Sequence, residues 1–170
     1  MLSSTMIFKY LFLNIFFLIN ISIGICQIIQ ITPAFPTVND IITLQYDASQ
    51  GNGGLIGISP VYTHTGIVTQ NGLPSSWSYV QGSWGQADSN VLMSDLGNNI
   101  HEMIIDIDQY YGFPSGTDVK KLAFVFRNSD GSLEGKTATM GDIFYPIYPV
   151  NGGFQAAIIK PYTDLLVDIS

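Results

Sequence analysis

The sequence predicts an all-β fold, an Ig-like antiparallel β-sandwich of about seven strands. From Gln27 onward, short runs of β-branched and aromatic residues alternate with clusters of Gly, Asn and Asp. No window there keeps the long 3.6-residue apolar period of a helix. Short strands at such spacing are typical of a sandwich. A hydrophobic content of 46% with 11% charged residues is sufficient for a core.

The predicted strands are separated by turn signals such as Asn71-Gly72 and Asp130-Gly131. One helical turn at most is expected, over residues 106–112. In the sixth run, alternation directs Leu122, Phe124 and Phe126 into the core, whereas Arg127 points outward. The seven predicted strands are residues 28–32, 41–46, 61–65, 77–81, 100–107, 122–127 and 143–148.

The first 26 residues predict a secretory signal peptide. Lys9 is the only charge before Gln27, and an apolar run over residues 10–25 ends in small residues ahead of Cys26. A secreted or cell-surface protein is therefore expected, with lipidation of Cys26 or an uncleaved anchor as the alternatives. Cys26 is the single cysteine, so the mature domain is expected to have neither a disulfide nor a thiol nucleophile.

Three segments follow from this pattern: a signal peptide over residues 1–26, a β-sandwich module over residues 27–149, and residues 150–170. The last segment passes through Asn151-Gly152-Gly153 into a further apolar stretch. We interpret it as a linker and the start of a truncated next domain, which would be a partner within the same protein.

The net charge and the positions of the carboxylates argue against nucleic-acid binding and against catalysis. Six Lys and Arg against thirteen Asp and Glu give a net charge of −7, which disfavours nucleic acid and anionic membranes as partners. No Gly-x-Ser-x-Gly motif is present. Glu102, Asp106 and Asp108 could form a glycosidase pair or a calcium site, yet solvated strand-end carboxylates are simpler. We therefore expect no enzyme, no cofactor and no metal.

Aromatic residues give the strongest functional signal. Residues 61–66 and 77–85 contain both tryptophans, two tyrosines and a histidine. Sugar-binding sites need flat aromatic platforms beside hydrogen-bonding groups, which Trp77, Tyr79, His64, Gln81 and Asn71 could supply. A continuous strand over residues 77–84 would put Trp77 and Tyr79 on one face and Trp84 on the other. The alternative is that both tryptophans belong to the core.

Four stretches, VYTHTG, WSYVQGSWG, KLAFVFRNSDGS and GDIF, resemble in this order the N-terminal β-sandwich modules of secreted multi-domain Bacteroidetes proteins. The resemblance covers residues 31–148. Many such proteins continue into an α-amylase-type glycoside hydrolase domain and end in a sorting domain. A weaker similarity to starch-binding modules, in which a Tyr-x-His strand and a following Trp form the glucan platform, implicates Tyr62, His64 and Trp77, with Trp84 as a fourth residue.

The expected function is therefore a non-catalytic carbohydrate-binding-like module for α-glucan or starch. It would stand at the N-terminus of a secreted glycan-degrading protein, with Tyr62, His64, Trp77, Tyr79 and Trp84 as the ligand-binding residues. No membrane contact is expected after signal cleavage. The alternative is a structural spacer or adhesin-like β-sandwich without a sugar site.

Overall fold

Two antiparallel sheets and one short helix form the domain in a computed structural model, which describes residues 27–69 and 76–150. The helix, α1, spans Ile107–Tyr111, and a single 3₁₀ turn spans Ser89–Val91. The strands are β1 Ile29–Thr32, β2 Ile41–Asp47, β3 Tyr62–Thr69, β4 Ser78–Gln81, β5 Ser94–Gly97, β6 Ile100–Asp106, β7 Val119–Arg127, β8 Glu134–Gly135 and β9 Ile143–Pro146.

The strand order is that of an Ig-like sandwich. One sheet has the order β1-β2-β6-β5, and the other has the order β4-β3-β7-β8. Strand β9 pairs with the first half of β7 while β8 pairs with its end, so one edge is split into two short strands. The order matches the Ig constant-type arrangement with β4 added at an edge. The prediction of an all-β sandwich is confirmed.

The core lies between the two sheets and is built from alternate residues of each strand. Ile42 and Leu44 on β2 face Leu122 and Phe124 on β7, and all four are fully buried. Across the core, Tyr46 stacks on Phe126, with ring centroids 3.8 Å apart and planes inclined by 11°. The predicted inward face of residues 122–127 is therefore correct.

Each predicted strand overlaps an observed one, whereas β5 and β8 were not predicted. Strand β8 has two residues, and all four residues of β5 are exposed, so neither shows apolar alternation. The helical turn lies where it was expected: Asp106 caps α1 by accepting a hydrogen bond from the Gln109 amide, and Gly112 ends it in a left-handed conformation. Because β6 ends at Asp106, Asp108 lies on the helix and the two carboxylates do not share a strand face.

The outer face of the five-stranded sheet carries most of the residues discussed below. On β3, Thr63, Thr65 and Ile67 point inward, so the intervening residues point away from the core. The outward cross-strand pairs between β3 and β7 are Tyr62 with Arg127, His64 with Val125, Gly66 with Ala123, and Val68 with Lys121. We call this surface the outer face.

Several predictions concern residues outside the described ranges. These are the signal peptide over residues 1–26, the next domain beyond Val150, and Asn71 with its turn. In the ranges that the structure does describe, no helix has the length and apolar character needed to cross a membrane.

Candidate functional site

His64 lies at the centre of an aromatic cluster on the outer face. Its Nδ1 is 2.7 Å from the carbonyl oxygen of Gly82. Because a carbonyl oxygen only accepts, Nδ1 carries the proton and donates this hydrogen bond. The Trp77 ring is inclined by 29° to the imidazole, with centroids 5.8 Å apart, and the Trp84 ring meets the imidazole edge to face at 5.3 Å. The two tryptophans, seven positions apart, therefore contact the same histidine.

Small residues beneath Trp77 allow its ring to approach the sheet. A Cβ atom at Gly66 would lie 3.3 Å from Trp77 Cβ and 3.2 Å from Val80 Cγ2, closer than side chains normally approach. The residue paired with Gly66 on β7 is Ala123. On its far side Trp77 meets Phe144 edge to face, with centroids 6.5 Å apart. We call Phe144, Trp77, His64 and Trp84 the aromatic row.

A β-bulge in β4 decides which side chains join this row. Between two cross-strand pairs, β3 has one residue, Gly66, while β4 has two, Tyr79 and Val80. Tyr79 takes a left-handed backbone with φ of 53°, the conformation that the first residue of a G1 bulge has, where glycine usually stands. The flanking pairs are Thr65 with Gln81 and Ile67 with Ser78.

The bulge separates Tyr79 from Trp77. Tyr79 turns away from the aromatic row and meets Phe113 edge to face, with centroids 6.2 Å apart. A continuous strand over residues 77–84 would have put Trp77 and Tyr79 on one face and Trp84 on the other, but the bulge and the end of β4 break that strand. Strand β4 ends at Gln81, and the left-handed Gly82, with φ of 81°, begins a loop that returns Trp84 to the outer face.

Arg127 joins the loop after β4 to the end of β7. Its Nη2 donates hydrogen bonds to the carbonyl oxygens of Ser83 and Gln86, at 3.0 and 2.7 Å. Its Nη1 donates to those of Asn128 and Ser129, at 3.0 and 3.3 Å. The side chain points outward as predicted, yet it is fully buried rather than exposed.

The buried guanidinium also contacts two aromatic rings. Its Cζ lies 5.3 Å from the centre of the Tyr62 ring and 6.0 Å from the centre of the Trp84 ring, within cation–π range. Burial lowers the pKa of Arg127 from its usual value, and the charges of Tyr62 and Asp88 oppose that shift. Arg127 donates its four hydrogen bonds to neutral backbone carbonyls. The ion pairs among the described residues lie elsewhere, between Lys120 and Asp118 and between Lys136 and Glu134.

Trp84 has protein on one side and solvent on the other. Gly131, in the turn between β7 and β8, has φ of +72°, and a Cβ there would lie 2.7 Å from the indole Nε1. This turn was predicted, including its left-handed glycine. The end of the aromatic row at Trp84 is accessible, because 43% of the Trp84 surface is exposed.

The structure separates the five predicted ligand-binding residues into three groups. His64, Trp77 and Trp84 lie together. Tyr62 is on the same face but only 7% exposed beneath Arg127, so its ring offers little surface for stacking. Tyr79 is 40% exposed on a different side of β4.

The sequence analysis did not predict that Phe144 belongs to the aromatic row or that Arg127 is buried. Phe144 reaches the row because β9 pairs with β7 and places it opposite Ala123, a long-range relation that local spacing does not show. The position of Arg127 at the end of the alternating run over residues 122–127 indicated its outward direction, but not its burial.

Outside the aromatic row, the acidic and histidine side chains of the described residues are spread over the domain. Asp106 caps α1, Asp118 pairs with Lys120, and His101 is buried beside Tyr46. Over residues 27–69 and 76–150, no group of three His, Cys, Asp or Glu side chains could hold a metal ion.

This fold and face define an Ig-like β-sandwich module with an aromatic outer surface. The chain belongs to the family described as Domain of unknown function (DUF8578), which matches residues 29–134. The match runs from β1 to the first residue of β8, so it includes His64, Trp77 and Trp84 but not Phe144. A search of curated proteins found no match.

Proposed function

We propose that this domain is a non-catalytic module that binds a neutral polysaccharide of the α-glucan type on its outer face. It would act beside a glycan-degrading domain of the same secreted protein. The observation that carries the proposal is the contact of Trp77 and Trp84 with one histidine, with 43% of Trp84 left exposed.

The chemistry of this face suits a sugar ring. An indole presents a flat apolar surface to the C–H face of a pyranose, while hydroxyl groups at the rim need hydrogen-bonding partners. His64 is half-buried within the row and Ser83 is exposed next to Trp84 in the chain, so polar groups adjoin the indole. Arg127 and Gly131 hold the Trp84 side of the cluster in place, which reduces the entropy lost on binding.

The charge of the chain favours a neutral ligand over an anionic one. A net charge of −7 repels polyanions at a distance. The cation nearest Trp84, Arg127, is fully buried with its terminal nitrogens bonded to carbonyls. A neutral polysaccharide incurs neither the repulsion nor the desolvation of a charge.

Affinity electrophoresis tests the proposal directly. We expect the wild-type domain to be retarded in gels containing soluble α-glucan, and Trp84→Ala to migrate as in a gel without polysaccharide. Tyr79→Ala is the matched control, because Tyr79 is equally exposed yet lies away from the row. Unchanged wild-type mobility across a panel of α- and β-glucans would overturn the proposal.

A structural spacer is the second candidate, and the burial of Tyr62 and Arg127 favours it. In that case the aromatic row would only cover the sheet. Acrylamide quenching separates the two, since the chain has two tryptophans and Trp77→Phe and Trp84→Phe each leave one. Strong quenching of Trp84 supports the binding module, and protection of both tryptophans supports the spacer.

A further inference from the structure

We propose that the site extends past the tryptophans to a subsite formed by Phe144 and Lys121. Its occupant would then be a neutral sugar chain of several rings laid across the strands, rather than one terminal sugar. This inference rests on the proposed function and states what length of ligand the face accepts.

The aromatic row is continuous over its whole length. From Phe144 to Trp77, from Trp77 to His64 and from His64 to Trp84, neighbouring ring centroids are 6.5, 5.8 and 5.3 Å apart. These steps are comparable with the width of a pyranose ring. A single sugar would cover one or two of the four rings, so only a chain could use them all.

Phe144 is placed at the end of the row by the sheet itself. It pairs with Ala123 on β7, and Ala123 pairs with Gly66 on β3. Gly66 and Ala123 have the smallest side chains on this face, which leaves room for Trp77 between Phe144 and His64. Over Gly66 the Trp77 side chain lies beside that of Val80.

Lys121 gives this end a free hydrogen-bond donor. Its Nζ lies 5.7 Å from the centre of the Phe144 ring, within cation–π range but beyond contact distance. Lys120 and Lys136 are paired with carboxylates at 2.7 and 2.9 Å. Among the described residues, Lys121 has no carboxylate or hydrogen-bond partner, so its three N–H groups can reach hydroxyl oxygens of a sugar on Phe144.

The length dependence of binding tests this subsite. Isothermal titration with α-1,4-linked glucose oligomers of about one, two, four and six units should show wild-type affinity rising until the row is covered. Phe144→Ala should remove about fivefold of the affinity for the longer oligomers and leave that for the dimer unchanged. Lys121→Gln should remove about twofold to threefold.

Matched controls come from the same chain. Phe35→Ala removes an exposed phenylalanine that contacts Tyr148 instead of the row, and Lys120→Gln removes the neighbouring lysine. Neither should change oligomer affinity. Phe144→Leu keeps the apolar volume but removes the ring, so it covers the case in which Phe144→Ala unfolds.

The outcomes distinguish this inference from the proposed function. Full affinity reached at the monomer or dimer, or wild-type binding of long oligomers by Phe144→Leu, overturns the subsite, while a loss in Trp84→Ala still supports the binding module. Absence of binding at every length overturns both. Tighter binding of a uronate oligomer than of a glucose oligomer of equal length overturns the assignment of a neutral chain.

Discussion

The guanidinium carbon of Arg127 lies 6.0 Å from the centre of the Trp84 indole, and the two residues differ sharply in exposure. Arg127 is fully buried while 43% of Trp84 is exposed. The buried cation holds the loop between β4 and the 3₁₀ turn through Ser83 and Gln86. Trp84 is thus a surface residue whose position depends on a buried one.

The first prediction concerns this cation. Arg127→Met removes the donors to four carbonyl oxygens, and we expect unfolding free energy to fall by about 2–4 kcal/mol, measured by urea denaturation. Arg127→Lys should recover little of this, because one ammonium lacks the planar fork that serves both loops. Lys121→Met, exposed on the same face, should change stability by less than about 0.5 kcal/mol. Equal stability of Arg127→Met and wild type would contradict the prediction.

The second prediction concerns Gly66. Its Cβ would meet the Ser78 carbonyl at 3.1 Å as well as Val80 and Trp77, so Gly66→Ala should displace β4 and cost about 1–3 kcal/mol. Tryptophan emission should shift as Trp77 loses its place on His64. Gly141→Ala is the control, since only the Thr137 hydroxyl lies near the added carbon there. Identical emission spectra of Gly66→Ala and wild type would argue against the close approach.

Much of the fold could be predicted from the sequence, because alternation reports burial directly. The run over residues 122–127 showed its inward face through Leu122, Phe124 and Phe126, and the end of α1 was visible at Gly112. The candidate site was predictable only in part. The bulge at Tyr79 adds one residue to β4, which changes the face to which the neighbouring side chains point. No residue type in the sequence marks this bulge, because its left-handed residue is a tyrosine and not a glycine. Phe144 joins the row through pairing with β7, which is set by the whole sheet.

The third prediction concerns pH and His101. This side chain is buried, and desolvation lowers its pKa from the ordinary value of 6.5, with the nearby Asp95 charge opposing the shift. The unfolded chain therefore binds the proton more tightly. The contribution of neutral His101 to the unfolding free energy should be fully present above its pKa in the unfolded chain. It should decrease as pH falls from about 6.5 towards the lowered pKa of His101 in the folded domain.

Urea denaturation between about pH 7.5 and about pH 5 measures this effect. The lowered pKa values of the Asp47 and Asp130 carboxyls affect stability in a more acidic range, because their ordinary value is 3.8. His101→Gln should remove most of the slope in the window near neutrality. A slope that persists unchanged in His101→Gln would assign it to another group.

The fourth prediction compares two buried tyrosines, of which one has a hydrogen-bonded hydroxyl and the other does not. Burial raises the pKa of both Tyr46 and Tyr111. The Tyr111 hydroxyl lies 2.7 Å from the Thr65 hydroxyl in a hydrogen bond. The Tyr46 hydroxyl has no partner among the residues that the structure describes, although its ring stacks on Phe126.

The same chemical change should therefore have opposite effects at the two sites. Tyr111→Phe breaks a buried hydrogen bond and should lower the unfolding free energy by about 1 kcal/mol. Tyr46→Phe keeps the stacked ring but removes a desolvated hydroxyl, so stability should stay equal or rise by up to about 1 kcal/mol. Thermal and urea denaturation of both variants against wild type would decide this. A loss in Tyr46→Phe as large as that in Tyr111→Phe would show that the Tyr46 hydroxyl has a partner in solution.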